Sequence, residues 1–98
     1  MPREREEVLE DLRRLKPELV EEFGIRSLSV FGSYARGEDE TGSDVDLLVE
    51  FEHVPSLFEM NRLQARIEDE IGVSVDLVTP GGLRRRTLDR ARDDAVAV

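Results

Sequence analysis

In the segment Val45-Asp46-Leu47-Leu48-Val49, Val45, Leu47 and Val49 fall on one side of an extended chain, while the other side begins with Asp44 and Asp46. Apolar spacing of period two is that of a half-buried β-strand, so the rest of the chain must supply a layer to cover the apolar side. Val8, Leu12, Leu15, Leu19 and Phe23 recur at three- and four-residue steps, the stripe of an amphipathic helix, which Pro17 is expected to break or kink. Leu28-Ser29-Val30-Phe31 alternates briefly before the turn at Gly32-Ser33, and residues 34–43 read as polar loop. Ser56-Leu57-Phe58-Glu59 has the form of a capping box, and Leu57, Met60, Leu63, Ile67 and Ile71 follow at helical spacing up to Gly72. Residues 73–78 return to period two with Asp76 among β-branched neighbours, Pro80-Gly81-Gly82 marks a turn, and residues 83–95 read as an arginine-rich helix. The order is α-β-β-α-β-α. It predicts an α/β (α+β) fold in which helices flank a short mixed sheet, with strand polarity left open by the pattern.

Ninety-eight residues make one domain, 1–98, with a single modest core. Without cysteine there is no disulfide framework, thiolate metal site or thiol nucleophile, as a reducing cytosol permits. Apolar runs reach only four residues against the ~20 needed to cross a bilayer, so a soluble, cytoplasmic protein without a membrane partner is expected. A net charge of -9 repels phosphate backbones and argues against direct nucleic-acid binding. The charge is uneven: residues 80–98 carry five basic and three acidic groups, so Arg84, Arg85, Arg86, Arg90 and Arg92 form either a solvated helix face or a basic patch.

The candidate chemistry lies between Phe31 and Leu48. On a strand Asp44 and Asp46 point the same way with Cα atoms roughly 6.5–7 Å apart, close enough to share a divalent cation. Oxygen-only ligands favour Mg²⁺ or Mn²⁺ over zinc, and Mg²⁺ completes its octahedron with water and substrate phosphate, which implicates a nucleoside triphosphate. Gly32 lets the backbone approach a phosphate, the Ser33 hydroxyl and following amides can donate to it, and Arg36 can add positive charge. If the strand bearing Asp76 lies beside 45–49, a third carboxylate joins the first two. It could then take the proton of an attacking hydroxyl or help ligate the metal.

Gly32-Ser33, ten intervening residues, Asp44-x-Asp46 and the later Val75-Asp76-Leu77 together resemble the signature of the minimal nucleotidyltransferases of the DNA polymerase β superfamily. The likeness in element order covers nearly the whole chain. It implies a nucleotidyltransferase fold and two Mg²⁺ ions held by Asp44, Asp46 and Asp76. It also implies nucleotide binding by Gly32 and Ser33, which Arg36 would assist from its place in the following loop, and transfer of a nucleoside monophosphate, AMP from ATP in the first instance, to a hydroxyl with release of pyrophosphate. Small stand-alone members resemble antitoxins that adenylylate a tyrosine of a HEPN-type toxin. Two other functions share these residues: an antitoxin that only masks its partner, and an adenylyltransferase of a small molecule. No helical domain of the kind with which larger members grip a primer is expected after the third acid, which would suit a protein or small-molecule acceptor.

Each residue also has an ordinary reading. Gly-Ser after a strand is commonly a turn, Asp-x-Asp commonly solvated surface, and an acid such as Asp76 on an edge strand discourages edge pairing. Arg36 can pair with Glu38 or Asp39, Tyr34 can anchor the loop, and His53 reads as a surface residue rather than a base. The combination and its spacing favour the site.

Overall fold

A computed structural model of the chain describes residues 5–32, 44–82 and 85–98. Helix α1 spans Arg5–Phe23 and buries Val8, Leu9, Leu12, Leu15, Leu19 and Phe23. Of the break or kink expected at Pro17, the break does not occur: the helix runs through it. Pro17 is exposed, and the hydrogen bond its missing N–H forfeits would have gone to the carbonyl of Arg13, itself on the solvent side, where water can take its place. Gly24 N–H closes the helix on Val20 O at 3.0 Å.

Strands β1 (Ile25–Phe31), β2 (Val45–Phe51) and β3 (Val75–Val78) join a short β4 (Val96–Ala97) in one sheet of order β3-β2-β1-β4. β1 is antiparallel to both β2 and β4, whereas β2 and β3 are parallel, so the sheet is mixed. The register of β1 on β2 shifts between Ile25 and Ser27, a bulge that lets Ile25, Leu28 and Val30 all face inward despite their uneven spacing.

Helix α2 spans Leu57–Ile71. Ser56 Oγ accepts from Glu59 N–H at 3.1 Å, and Glu59 reaches back to the Ser56 N–H, which completes the capping box. The helix ends at Gly72, whose φ of +74° is the left-handed cap conformation. α1 and α2 cover one face of the sheet, where Leu12, Leu19, Leu28, Val30, Val45, Leu47, Val49, Leu63, Ile67 and Ile71 form the core. A 3₁₀ turn at Pro80–Gly82 leads to α3 (Arg85–Asp94). On the opposite face Leu48 is buried although it alternates away from the core, Ala91 of α3 is buried too, and Arg92 of that helix meets Glu50 of β2 at 3.4 Å. The sequence reading stops at α3 and omits β4, whose two residues are too few to carry a period. Among the described residues no helix is long and apolar enough to cross a membrane.

Candidate active site

The register of the sheet determines where the acids stand. Phe31 of β1 pairs with Asp46 of β2, and Asp46 pairs with Asp76 of β3. Residues directly opposed on neighbouring strands share a face, with strands about 4.8 Å apart. The neighbouring rows Val45–Val75 and Leu47–Leu77 point into the core side, where Val45, Leu47 and Val75 are buried. Asp46 and Asp76 therefore emerge together on the face away from α1 and α2. Asp44 lies one residue before β2, and Val45 N–H still donates to Ser74 O at 3.0 Å. With Val45 directed inward, Asp44 and Asp46 flank it on the same side. Asp44 and Asp76 are exposed and Asp46 is half-buried.

Gly32 completes the row from the β1 side. Its φ is +73°, and a Cβ built there would collide with Oδ2 of Asp46. The left-handed backbone favours glycine, and a Cβ there would in addition displace the Asp46 carboxyl. Ser33 and Arg36, the other expected nucleotide-binding residues, lie outside the described residues, as does Tyr34.

The remaining charged features sit elsewhere. Five residues of strand, about 17 Å, separate Asp46 from Phe51. His53 lies beyond Phe51, edge-on to its ring at 5.6 Å, with Nε2 2.7 Å from Glu59 Oε2. It is a surface residue remote from the acids. Hydrogen bonding to His53, above all, holds the Glu59 carboxyl below its usual range. Arg92 pairs with Glu50, while Arg86 and Arg90 are exposed, which fits a solvated face for the described part of that tail. An open cleft of about 530 Å³, lined by Phe51, His53, Pro55, Thr79 and Arg92 among others, lies at this far end and includes none of the acids.

Two polar residues that the sequence reading does not single out attach to the strand bearing Asp76. Gln64 Nε2 donates to Val75 O at 3.3 Å, and Glu68 Oε2 accepts from Val75 N–H at 2.9 Å. Their only signal in the sequence is an i,i+4 spacing on the flank of α2.

A mixed sheet with two strand-borne acids in one row, set against a glycine turn, defines a nucleotidyltransferase architecture. Residues 12–98 match the family model described as nucleotidyltransferase domain, and the chain belongs to that family. Within it the similarity is to minimal members. The chain is 47% identical over 79 residues to the protein adenylyltransferase MntA of Thermococcus cleftensis, covering 81% of this chain and 80% of that one. A solved candidate minimal nucleotidyltransferase superposes with a TM-score of 0.84 at 35% identity, covering 98% of this chain and 97% of the other. The Shewanella oneidensis complex of a tri-AMPylated HEPN toxin with an MNT antitoxin shares the fold, with a TM-score of 0.66 at 16% identity, covering 93% of this chain and 70% of its counterpart.

Proposed function

We propose that this protein is a Mg²⁺-dependent adenylyltransferase that moves AMP from ATP onto a tyrosine hydroxyl of a HEPN-type toxin and so acts as its antitoxin in the cytoplasm. The observation that carries the reading is the row Asp46–Asp76, two carboxylates in register on one face beside Gly32. The relatives support the donor and the acceptor: one is named a protein adenylyltransferase, and a structural neighbour is a complex with an AMPylated toxin.

The donor set suits a hard cation. Asp44, Asp46 and Asp76 offer oxygen alone, and the one histidine stands at the far end of the sheet. Among the described residues no three such groups are drawn into a ready-made cage. Mg²⁺ takes one or two carboxylates and fills its shell with water and substrate phosphate. Two Mg²⁺ ions, with Mn²⁺ able to replace them, would be held by these three acids and would neutralise charge developing on the phosphates.

The protein's residues then divide the work. Gly32 leaves the space in which the Asp46 carboxylate sits, and in this reading the Ser33 hydroxyl and Arg36 guanidinium bind the triphosphate. The acceptor oxygen bonds to the α-phosphorus in line with the departing group, the bond to the bridging oxygen of the β-phosphate breaks, and pyrophosphate leaves. Asp76, on a separate strand from the other two, accepts the hydroxyl proton.

The test incubates the chain with α-labelled ATP, Mg²⁺ and the candidate toxin. Label on the toxin with wild type, and none with the Asp44→Asn/Asp46→Asn double variant, is the expected result. Equal labelling by both, or by neither, overturns the proposal.

Masking remains a second reading because Val54, Leu57 and Phe58 are 92%, 78% and 69% exposed, an apolar surface at the start of α2 that a partner could cover. If the double variant still neutralises the toxin, masking is the function.

A further inference from the structure

Asp76 stands on a four-residue strand at the edge of the sheet, paired on one side only. Such a strand has few ladder bonds to hold it. In a parallel ladder each residue turns its N–H and C=O to one side, and successive residues alternate. Ser74 O accepts from Val45 N–H, so Ser74, Asp76 and Val78 turn their backbone groups toward β2, while Val75 and Leu77 turn theirs outward.

Val75 is nevertheless satisfied on that outer side. Its N–H donates to Glu68 Oε2 at 2.9 Å and its carbonyl accepts from Gln64 Nε2 at 3.3 Å. Gln64 and Glu68 are one helical turn apart on α2 and both half-buried, so one face of the helix presents an acceptor and a donor to a single strand residue. The two side chains occupy the place of a fifth strand.

We infer that Gln64 and Glu68 are positioning residues for the Asp76 carboxylate, clamping Val75 so that the acid next to it keeps its register with Asp46. The inference rests on the reading of Asp44, Asp46 and Asp76 as the acidic site. Its physical basis is the period of two: a one-residue slip of β3 turns Asp76 toward the core and Val75 or Leu77 outward. Fraying short of a slip still releases the carboxylate from its distance to Asp46, and carboxylates sharing cations tolerate little of that.

The test uses the full chain and three variants, Glu68→Gln, Glu68→Met and Gln64→Met, beside wild type. Mn²⁺ binding is read by electron paramagnetic resonance, and kcat and KM for ATP are read by AMP transfer. Loss of one hydrogen bond corresponds to roughly three- to tenfold. Glu68→Met and Gln64→Met are expected to weaken Mn²⁺ binding and lower kcat by about that factor, with KM for ATP within about twofold of wild type. Glu68→Gln, whose amide oxygen can still accept the Val75 N–H, should stay close to wild type.

If both methionine variants melt earlier but bind Mn²⁺ and turn over normally, the contacts are only structural and the inference is overturned. Glu68→Gln as damaging as Glu68→Met also overturns it, since acceptance of the Val75 N–H would not be what matters. Should Glu68→Met fail to fold, Gln64→Met decides alone, because the contact it removes, from a neutral amide at 3.3 Å, is the longer of the two. Wild type that binds no Mn²⁺ overturns the acidic site and the inference with it. Wild-type binding with indifferent variants overturns the clamp and leaves the site standing.

Discussion

Asp46 and Asp76 are register partners in the parallel pair β2–β3, carried on the face that the core does not use. The holding is done by the rows on either side, where Val45, Leu47 and Val75 are buried. Like charges on directly opposed residues destabilise a sheet, so this pair is a cost the fold tolerates rather than a source of stability. Asp76, which is exposed, isolates the point. Asp76→Asn should melt within about 2 °C of wild type or above it. AMP transfer should fall by about 10²–10⁴-fold, the range of a lost proton acceptor. Thermal melting and label transfer on one preparation check both.

Gly32 and Gly72 provide a matched pair of substitutions. Both have strongly positive φ, +73° and +74°, but a Cβ at Gly32 meets Asp46 Oδ2, whereas nothing lies within 4 Å of one at Gly72. Alanine at either position costs about 1–2 kcal/mol of backbone strain, a melting loss of roughly 5–15 °C in a chain this size. Only Gly32→Ala also displaces the Asp46 carboxylate. Its transfer rate, measured below both melting points, should fall by at least about tenfold, while Gly72→Ala should match wild type per folded molecule.

Leu47 tests the separation of core from site in the other direction. It is fully buried one residue along from Asp46, with its side chain on the opposite face. Leu47→Ala should cost about 2–5 kcal/mol by urea titration, the range for a buried leucine whose cavity partly persists. The surviving folded fraction should keep its transfer rate within about threefold, because Val45 and Val75 still bury the flanking row and the ladder hydrogen bonds are untouched, so the register that aligns the acids persists.

How far the sequence could be read follows from which residues keep a regular period. β2 was legible because Val45, Leu47 and Val49 alternate without interruption, and α2 because its capping box, apolar stripe and Gly72 agree. The start of β1 was not, since the bulge at Arg26 puts Ile25 and Leu28 three residues apart and erases the alternation there. Pro17 does not break α1, because its helix-breaking tendency is local, whereas the six buried side chains of α1 act together. Among the candidate site residues, Asp44, Asp46, Gly32 and Asp76 are singled out by spacing and chain order. Their meeting required the parallel register of β2 and β3, which no single-strand pattern contains. Gln64 and Glu68 were invisible, because a helix-surface amide or carboxylate looks the same whether it faces water or a strand edge.

The start of α2 carries a titratable junction remote from the acids. Glu59 Oε2 lies 2.7 Å from His53 Nε2 while its other oxygen approaches the Ser56 N–H, and these contacts, the histidine's foremost, hold the Glu59 carboxyl below its usual range. A carboxyl whose pKa is lower in the folded state contributes stability that is present above the unfolded value and lost as pH falls through the folded one. Glu59→Gln separates the two contacts, because glutamine can still complete a capping box but carries no charge for His53. Wild type should therefore melt above the variant at pH 6. The difference should shrink as pH drops below the ordinary carboxylate value near 4.5 and vanish once Glu59 is protonated in both states. Glu52, lowered by Arg26, titrates in the same window in both proteins, so the difference between the two melting curves is the quantity to follow. A difference that stays constant from pH 3 to pH 6 would show that the His53 contact contributes nothing through charge.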